Sequence, residues 1–189
     1  PEPIIRLKDI YQKDLKDPAK AENMLKQLLA KEPDNHAYLL ETGAFYFNQQ
    51  NYAEAAKYFE RAKTIKPADV DNLLNLSFAY YELKDYDKAL AETKLALALD
   101  PTNIEIIDNA KNIALMKEDK QLAISYLEQL IEQRSIEEDF NEIAVLLNDV
   151  KDYDKLITDA KKWREWDDTN KYAVRFIILA AQMTGDAAL

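Results

Sequence analysis

Apolar residues recur along the chain at the three- and four-residue spacing of an α-helix, in runs that short polar turns separate. The stretch 36–69 is the clearest example. Two runs there share this spacing: Leu39, Thr42, Gly43 and Tyr46 in the first, and Ala55, Phe59 and Ala62 in the second. We therefore predict two amphipathic helices, joined by the polar turn at 49–51.

The same stretch carries signals for the ends of its helices. Asn51 is a typical N-cap, and Glu54 lies three residues later, as in a capping box. Pro67 ends the second helix, because proline lacks the backbone donor and disfavours a helical conformation in the residue before it. The stretch thus predicts a helix–turn–helix hairpin in which small residues let the two helices approach closely.

This hairpin pattern repeats. Pro33, Pro67 and Pro101 are 34 residues apart, and the string Lys-Asp-Tyr-Asp-Lys occurs at 84–88 and again at 151–155. The repeats span about 2–35, 36–69, 70–103, 104–136 and 137–170, with a partial repeat at 171–189. Because each hairpin covers its apolar faces only by packing on its neighbours, we expect a single repeat domain over 1–189.

The repeat resembles the tetratricopeptide repeat, whose period is about 34 residues. At 36–69 the resemblance rests on Gly43, Tyr46, Ala55, Phe59, Ala62 and Pro67. At 70–103 it rests on Leu73, Leu76, Ser77, Tyr80, Ala89, Ala96 and Pro101, while Thr93 replaces the usual aromatic residue. The match is clear over 36–103 and weaker over 2–35 and 104–189. It implies an all-α fold, a right-handed superhelix (α-solenoid) of stacked antiparallel helix–turn–helix repeats.

The partial repeat at 171–189 stops after its first helix. Apolar residues lie nearly all round that helix, among them Val174, Phe176, Ile177 and Ile178. We expect that the native protein continues beyond 189 or that the helix meets another chain. The alternative is an array that ends with a partly exposed helix.

The resemblance also implies a binding surface, because the first helix of each tetratricopeptide repeat lines a concave groove that receives a peptide or a partner helix. In this register the groove residues are Leu40, Ala44, Phe47, Leu74, Asn75, Phe78, Tyr81, Asp108, Asn109 and Asn112. Phe47, Phe78 and Tyr81 are the candidate anchors, since aromatic side chains often dominate binding energy. Alternatively, these three residues pack against neighbouring helices.

One familiar subtype of the family clamps a C-terminal carboxylate with lysine, asparagine and arginine side chains. Asn75 falls at the middle site of that clamp. The flanking sites hold Leu40 and Ala44 on one side and Glu105 and Asn109 on the other. Because the cations are missing, we do not expect a carboxylate clamp.

The formal net charge of -10 restricts the kind of partner that we expect the protein to bind. Nucleic acid is disfavoured, since lysine and arginine contacts to phosphate dominate that affinity. Repeats 2–35 and 36–69 are neutral, whereas 70–103, 104–136 and 137–170 carry -3, -2 and -6. A protein or peptide with basic residues beside an apolar anchor would suit this groove, and its affinity should fall as salt rises.

The composition argues against catalysis and cofactors. There is no cysteine, only one histidine and only two glycines, which excludes thiolate chemistry, a histidine metal pair and a glycine-rich phosphate loop. We therefore predict no catalytic residue, no metal site and no cofactor. No run approaches the roughly 18 apolar residues of a membrane helix, so we expect a soluble chain without membrane insertion. The compartment stays open between cytoplasm and periplasm, with the cytoplasm favoured.

Residues that could suggest chemistry have simpler interpretations. His36 is interpreted as a surface residue at the start of a helix. The acidic residues at 137–139, with Glu142, complement the positive end of the helix dipole. Trp163 and Trp166 fall at helix-packing positions of the repeat, so both are assigned to the core.

Two functions remain. The first is a protein-interaction scaffold that binds a peptide or helix of a partner in the concave groove. The alternative is a structural module that associates with copies of itself through the helix in 171–189. An enzyme of the helical-toroid type would need converging carboxylates with perturbed pKa values.

Overall fold

A computed structural model describes residues 17–134, 136–166 and 171–184. This part of the chain contains helices and no strand, so the all-α class is confirmed. The helices are α1 (Pro18–Lys31), α2 (His36–Asn48), α3 (Tyr52–Ile65), α4 (Val70–Glu82), α5 (Tyr86–Leu99), α6 (Ile104–Met116), α7 (Lys120–Arg134), α8 (Glu137–Asp149), α9 (Tyr153–Trp166) and α10 (Lys171–Thr184). The first helix of repeat 2–35 and the residues after Thr184 lie outside the described residues.

The chain divides into two compact units. The N-terminal unit ends at Pro101 and contains α1 and the hairpins α2–α3 and α4–α5; the C-terminal unit begins at Thr102 and contains α6–α7, α8–α9 and α10. The predicted hairpin at 36–69 is confirmed, with helices at 36–48 and 52–65. The single domain over 1–189 stays a prediction, and each unit is described by itself.

Aspartate and asparagine side chains begin most of the described helices. Each accepts a hydrogen bond from a backbone N–H in the first turn, which satisfies a donor that the helix leaves unpaired. These caps are Asp17, Asn35, Asn51, Asp69, Asp85, Asn103, Asp119 and Asp152. The predicted cap at Asn51 is confirmed. The Glu54 side chain does not complete the capping box by accepting from the Asn51 N–H, because its carboxylate binds Lys57 at 2.5 Å.

Within the hairpin α2–α3, the helices meet where Gly43 faces Phe59. A Cβ atom at residue 43 would lie 2.6 Å from Phe59 Cδ1 and 2.9 Å from Phe59 Cζ, which is too close for any real contact. Glycine is therefore required by the ring that lies against it. Phe59 is 1% exposed, so the ring has little freedom to move aside.

In the next hairpin, α4–α5, two smaller side chains form the corresponding contact between the helices. Ser77 and Thr93 occupy the equivalent positions and are both fully buried. Their hydroxyl oxygens lie 2.6 Å apart, and each also lies 3.0 Å from the Ala89 carbonyl oxygen. Thr93 departs from the aromatic residue of the family pattern. Because its hydroxyl and that of Ser77 are both buried, each needs a hydrogen-bond partner, and the contact between them provides one.

Neighbouring hairpins of the N-terminal unit are held by buried polar contacts as well as apolar packing. The fully buried Asn72 of α4 donates from Nδ2 to the Phe59 carbonyl oxygen of α3 at 3.0 Å. Tyr80 donates its hydroxyl to Glu60, and Lys63 binds Glu92 at 2.7 Å. The hydrogen bond to Glu60 and burial together raise the pKa of Tyr80, burial having the larger effect.

His36 differs from its interpretation as a surface residue. Its side chain is only 11% exposed, and Nε2 lies 3.3 Å from Asp69 Oδ2, an ion-pair distance without the geometry of a hydrogen bond. Asp69 also caps α4 through its other oxygen. The reason for the difference is the stacking of consecutive repeats, which brings the start of α2 against the start of α4.

Ion pairs organise the C-terminal unit. Arg134 of α7 binds Asp139 at 2.6 Å and Asp108 at 2.9 Å, while Lys111 of α6 binds Glu142 of α8 at 2.7 Å. Asp139 is 2% exposed, and its hydrogen bond to Arg134 is the main cause that raises the pKa of that guanidinium group. Glu137, Glu138 and Asp139 lie in the first turn of α8, as the helix-dipole interpretation requires, and Asp139 is also bound by Arg134. Glu142 lies beyond that turn and is bound by Lys111.

Trp163 is confirmed as a core residue at 3% exposure. Its ring centroid lies 4.8 Å from that of Phe140 and 6.4 Å from that of Phe176. These three side chains connect α8, α9 and α10. The Trp166 side chain lies outside the described residues.

Each hairpin turn contains a residue in the left-handed region of backbone conformation. The φ angles are 59° at Gln50, 61° at Lys84, 59° at Glu118 and 59° at Lys151. The following residue donates to a carbonyl of the last helical turn, as Asp85 does to Tyr80 at 2.9 Å. This conformation costs a non-glycine residue about 1–2 kcal/mol. The same turn occurs in four described hairpins, each time with a non-glycine residue at this position.

Replacing Lys84 by glycine should therefore stabilise the protein. We expect Lys84→Gly to raise the free energy of unfolding by about 0.5–1 kcal/mol, since relief of the left-handed conformation outweighs the added freedom of the unfolded chain. Urea unfolding followed by circular dichroism measures the change.

The control is Leu83→Gly, one residue earlier, where φ is -76° and glycine has no conformational advantage. That variant should lose about 0.5–1 kcal/mol. Equal destabilisation by the two substitutions would contradict the assignment of strain to Lys84.

Candidate functional site

A pocket of about 140 Å³ lies between α2, α3 and α4 of the N-terminal unit. Its lining residues are Ala44, Phe47, Asn48, Phe59, Asn75 and Phe78. Four of them, Ala44, Phe47, Asn75 and Phe78, are among the groove residues that the sequence predicts. The structure therefore brings these four side chains together around one opening, although their role in binding stays a prediction.

Phe59 forms the floor of the pocket and was assigned to the core alone by the sequence pattern. It reaches the pocket because Gly43 has no side chain to stand between the ring and the groove face of α2. The sequence signal that could have placed Phe59 at the pocket is a glycine on one helix with an aromatic residue facing it on the next. The same close approach thus holds the hairpin together and shapes the pocket.

Two amide side chains, Asn48 and Asn75, stand beside the three phenylalanine rings of the pocket. Neither amide makes a hydrogen bond within the part of the chain that the structure describes. Each offers both a donor and an acceptor, which matches the N–H and C=O groups of an extended peptide backbone. The pocket accordingly combines an apolar interior with polar groups that can orient a ligand.

The aromatic anchors also pack within their own hairpins. The Phe47 ring lies 5.1 Å from the Tyr52 ring, and the Tyr81 ring lies 5.6 Å from the Tyr86 ring, both edge to face. All of these residues are half-buried. The alternative that Phe47 and Tyr81 pack against neighbouring helices therefore describes part of their surface, and the remainder stays accessible.

The side chains that line the pocket are uncharged. None of the six lining residues carries a positive charge, in agreement with the absence of carboxylate-clamp cations from the sequence. Close by, burial raises the pKa of Tyr52, and the negative charge of Glu82 adds to that effect. The lining of the pocket is therefore uncharged, with the acidic Glu82 near Tyr52.

The other predicted groove residues of the N-terminal unit do not line the pocket. Leu40 is half-buried on α2, and Leu74 is 8% exposed on α4. Leu74 offers almost no surface to a ligand, because its side chain belongs to the packing between hairpins.

The predicted groove residues Asp108, Asn109 and Asn112 belong to α6 of the C-terminal unit. The Asp108 carboxylate is bound by Arg134 at 2.9 Å and Lys111 at 3.3 Å, and Asn109 is 7% exposed. Of these three residues, only Asn112 is exposed. Intramolecular ion pairs and burial thus leave α6 fewer groups for a partner than the sequence register predicts.

The described residues contain no group of three or more acidic or histidine side chains arranged to hold a metal ion. None of the described helices is long and apolar enough to cross a membrane.

Comparisons with solved structures give the same fold. A tetratricopeptide repeat protein from Parabacteroides merdae is 20% identical, with a TM-score of 0.71 over 97% of this chain and 73% of that one. A crystal structure of MamA is 16% identical, with a TM-score of 0.68 over 94% of each chain. The first tetratricopeptide domain of Spaghetti (RPAP3), bound to an HSP90 peptide, is 22% identical, with a TM-score of 0.55 over 61% of this chain and 93% of that one.

Comparison with curated protein sequences finds no match. Two models of the tetratricopeptide repeat do match the chain, at residues 11–70 and 46–112. Together they cover more than half of it and include every lining residue of the pocket. The resemblance in the sequence is confirmed, and the chain belongs to the tetratricopeptide repeat family.

Proposed function

We propose that this protein is an interaction scaffold that binds a peptide or helix of a partner protein, with one apolar side chain of the partner in the pocket between α2 and α4. The observation that carries the proposal is the pocket itself, in which Phe47, Phe59 and Phe78 surround a space beside two unpaired amides. An apolar cavity of roughly 150 Å³ holds a benzene molecule. A pocket of this size therefore has room for one aliphatic or aromatic side chain.

The family supports the coarser part of this proposal. Among solved structures of the same fold, the domain of Spaghetti is bound to an HSP90 peptide. That partner is not carried over to this chain, because a likeness at 22% identity shows only the fold.

Basic residues beside the apolar side chain of the partner belong to the same proposal. Repeat 70–103, which supplies α4, has three basic and six acidic residues. Exposed acids such as Asp71 and Glu82 would attract a basic partner over a distance of about 10 Å at 0.1 M salt. The partner would use the apolar pocket for affinity and the acidic surface for association rate.

The proposal gives the protein no catalytic step and no cofactor. Its residues around the pocket are three phenylalanines, two asparagines and an alanine, none of which is a general acid, a general base or a nucleophile at neutral pH. The protein would act through binding alone.

Filling the pocket should abolish partner binding without disturbing the fold. Ala44 is exposed at the pocket and sits in the middle of α2, so arginine there retains good helix propensity. We expect Ala44→Arg to weaken partner binding at least about tenfold, because its side chain occupies the volume that the partner needs. Quantitative affinity capture from the native source, followed by titration of the recovered partner, measures the loss.

The matched control is Ala91→Arg, the same substitution at an exposed alanine in the middle of α5. It adds an equal charge away from the pocket. A partner that is lost with Ala44→Arg and retained with Ala91→Arg supports the pocket. Retention of every partner by both variants overturns the proposal.

A second candidate function is self-association through α10, which the exposed apolar residues of that helix favour. Val174, Ile178 and Met183 are 37%, 52% and 56% exposed. Val174 and Ile178 correspond to Leu39 and Gly43 of α2, which the second helix of that hairpin covers. A second copy of the chain would cover the same face of α10.

Sedimentation separates this candidate from the first. If α10 mediates association, the wild type should form dimers or larger species at micromolar concentration, and Ile178→Lys should shift them to monomer. Ala91→Lys, which adds the same charge at an exposed position of α5 in the N-terminal unit, is the control and should leave association unchanged. A monomeric wild type would exclude self-association.

A further inference from the structure

A second pocket, of about 220 Å³, lies in the C-terminal unit between α7, α8 and α9. It is lined by Glu128 and Glu132 of α7, Ile143 of α8, and Asp159 and Trp163 of α9, among other residues. The groove pocket is formed mainly by the first helices of two repeats. This one is formed mainly by the second helices of two repeats, so it belongs to a different surface of the fold.

One part of the pocket wall is apolar and another part is acidic. Ile143 and Trp163 are 1% and 3% exposed, and they form a rigid apolar floor. Glu132 is exposed at the rim, while Asp159 lies deeper and is half-buried. A ligand with an apolar stem and a charged end would match both parts.

The charge of the lining favours a cation. Glu128, Glu132 and Asp159 are acidic, and Lys162 is the basic residue among the lining side chains. Lys155 binds Glu128 from the neighbouring turn of α9. Counting both lysines against the three carboxylates leaves an excess of one negative charge, which one cationic group would balance.

Asp159 contributes to this negative charge from a half-buried position. Its Oδ2 atom is buried and has no hydrogen-bond partner among the described residues, which is unfavourable for a carboxylate. Burial raises the pKa of Asp159, and Glu128 and Asp152 add to that effect, while Lys155 and Lys162 oppose it. Asp159 as a whole is only half-buried and lines the pocket, so part of its side chain remains open to a cationic ligand.

We propose that this pocket binds a single lysine or arginine side chain of a partner protein, with its charged end at Asp159 and Glu132 and its methylene stem against Trp163 and Ile143. Hydrogen bonds from an ammonium or guanidinium group to carboxylates are among the stronger ones in proteins. Long basic side chains also cover apolar surface with their methylene groups. The proposal is independent of the groove pocket, since none of the residues is shared.

Chemical-shift titration of the full chain tests the proposal with small probes. The probe is N-acetyl-arginine methylamide, and the neutral control is the corresponding citrulline amide, which has nearly the same shape. The indole N–H signal of Trp163 reports the site, after Trp166→Phe has assigned the two tryptophan signals. We expect a saturable shift with the arginine probe and at least about tenfold weaker binding of the citrulline probe.

Variants then locate the charge. Asp159→Asn should weaken binding of the arginine probe about tenfold, and Glu132→Gln should weaken it severalfold. Asp34→Asn removes the same charge from an exposed turn of the N-terminal unit and should leave the affinity unchanged. If Asp159→Asn does not fold by circular dichroism, the comparison of Glu132→Gln with Asp34→Asn decides.

The proposal is overturned if the Trp163 signal does not respond to the arginine probe. It is also overturned if the citrulline probe binds equally well, because the pocket would then recognise shape without charge. Equal weakening by Asp34→Asn and Glu132→Gln would show an effect of net charge only and would contradict a site.

Discussion

The close approach of the two helices within the hairpins α2–α3 and α4–α5 is the constraint on which the N-terminal unit depends. In α2–α3 a glycine makes room for the Phe59 ring, whereas in α4–α5 Ser77 and Thr93 share the same space through their hydroxyl groups. The equivalent residues Ala144 and Ala160 of the C-terminal unit are 1% and 0% exposed. In these three hairpins the pair differs in chemistry from one repeat to the next. In α6–α7 the corresponding residues are Lys111 and Leu127, so the tight pairing does not extend to that hairpin.

The chemistry of the pair in α2–α3 explains the apolar pocket beside that hairpin. The large member of the pair in α2–α3 is an aromatic ring that extends past Gly43 to the groove face, where Phe47 and Phe78 meet it. In the C-terminal unit, polar residues take the corresponding surface of α6, and ion pairs of Arg134 and Lys111 add to the apolar packing of the helices. The two units thus use the same fold with different surfaces: an apolar pocket beside asparagines in one, and an acidic pocket over a tryptophan in the other.

Much of the fold follows from the sequence, because helical spacing, caps and the 34-residue period are local signals. The hairpin bounds at 36–48 and 52–65 and the core position of Trp163 were predictable in that way. The left-handed turns at residues such as Lys84 were not, since no glycine marks them. Contacts between distant residues were not predicted, because they depend on how hairpins stack and periodicity does not encode stacking. Examples are the ion pair of Asp108 with Arg134, the approach of His36 to Asp69, and the position of the Phe59 ring at the groove.

A double-mutant cycle at residues 43 and 59 tests the dependence on paired size most directly. Gly43→Ser alone should destabilise the protein, because its side chain meets the Phe59 ring, and Phe59→Thr alone should leave a cavity. Together they recreate the pair found at Ser77 and Thr93, so the double variant should be more stable than the sum predicts by about 1–3 kcal/mol in urea unfolding. Effects that add to within about 0.5 kcal/mol would contradict the account, because independent sites behave in that way.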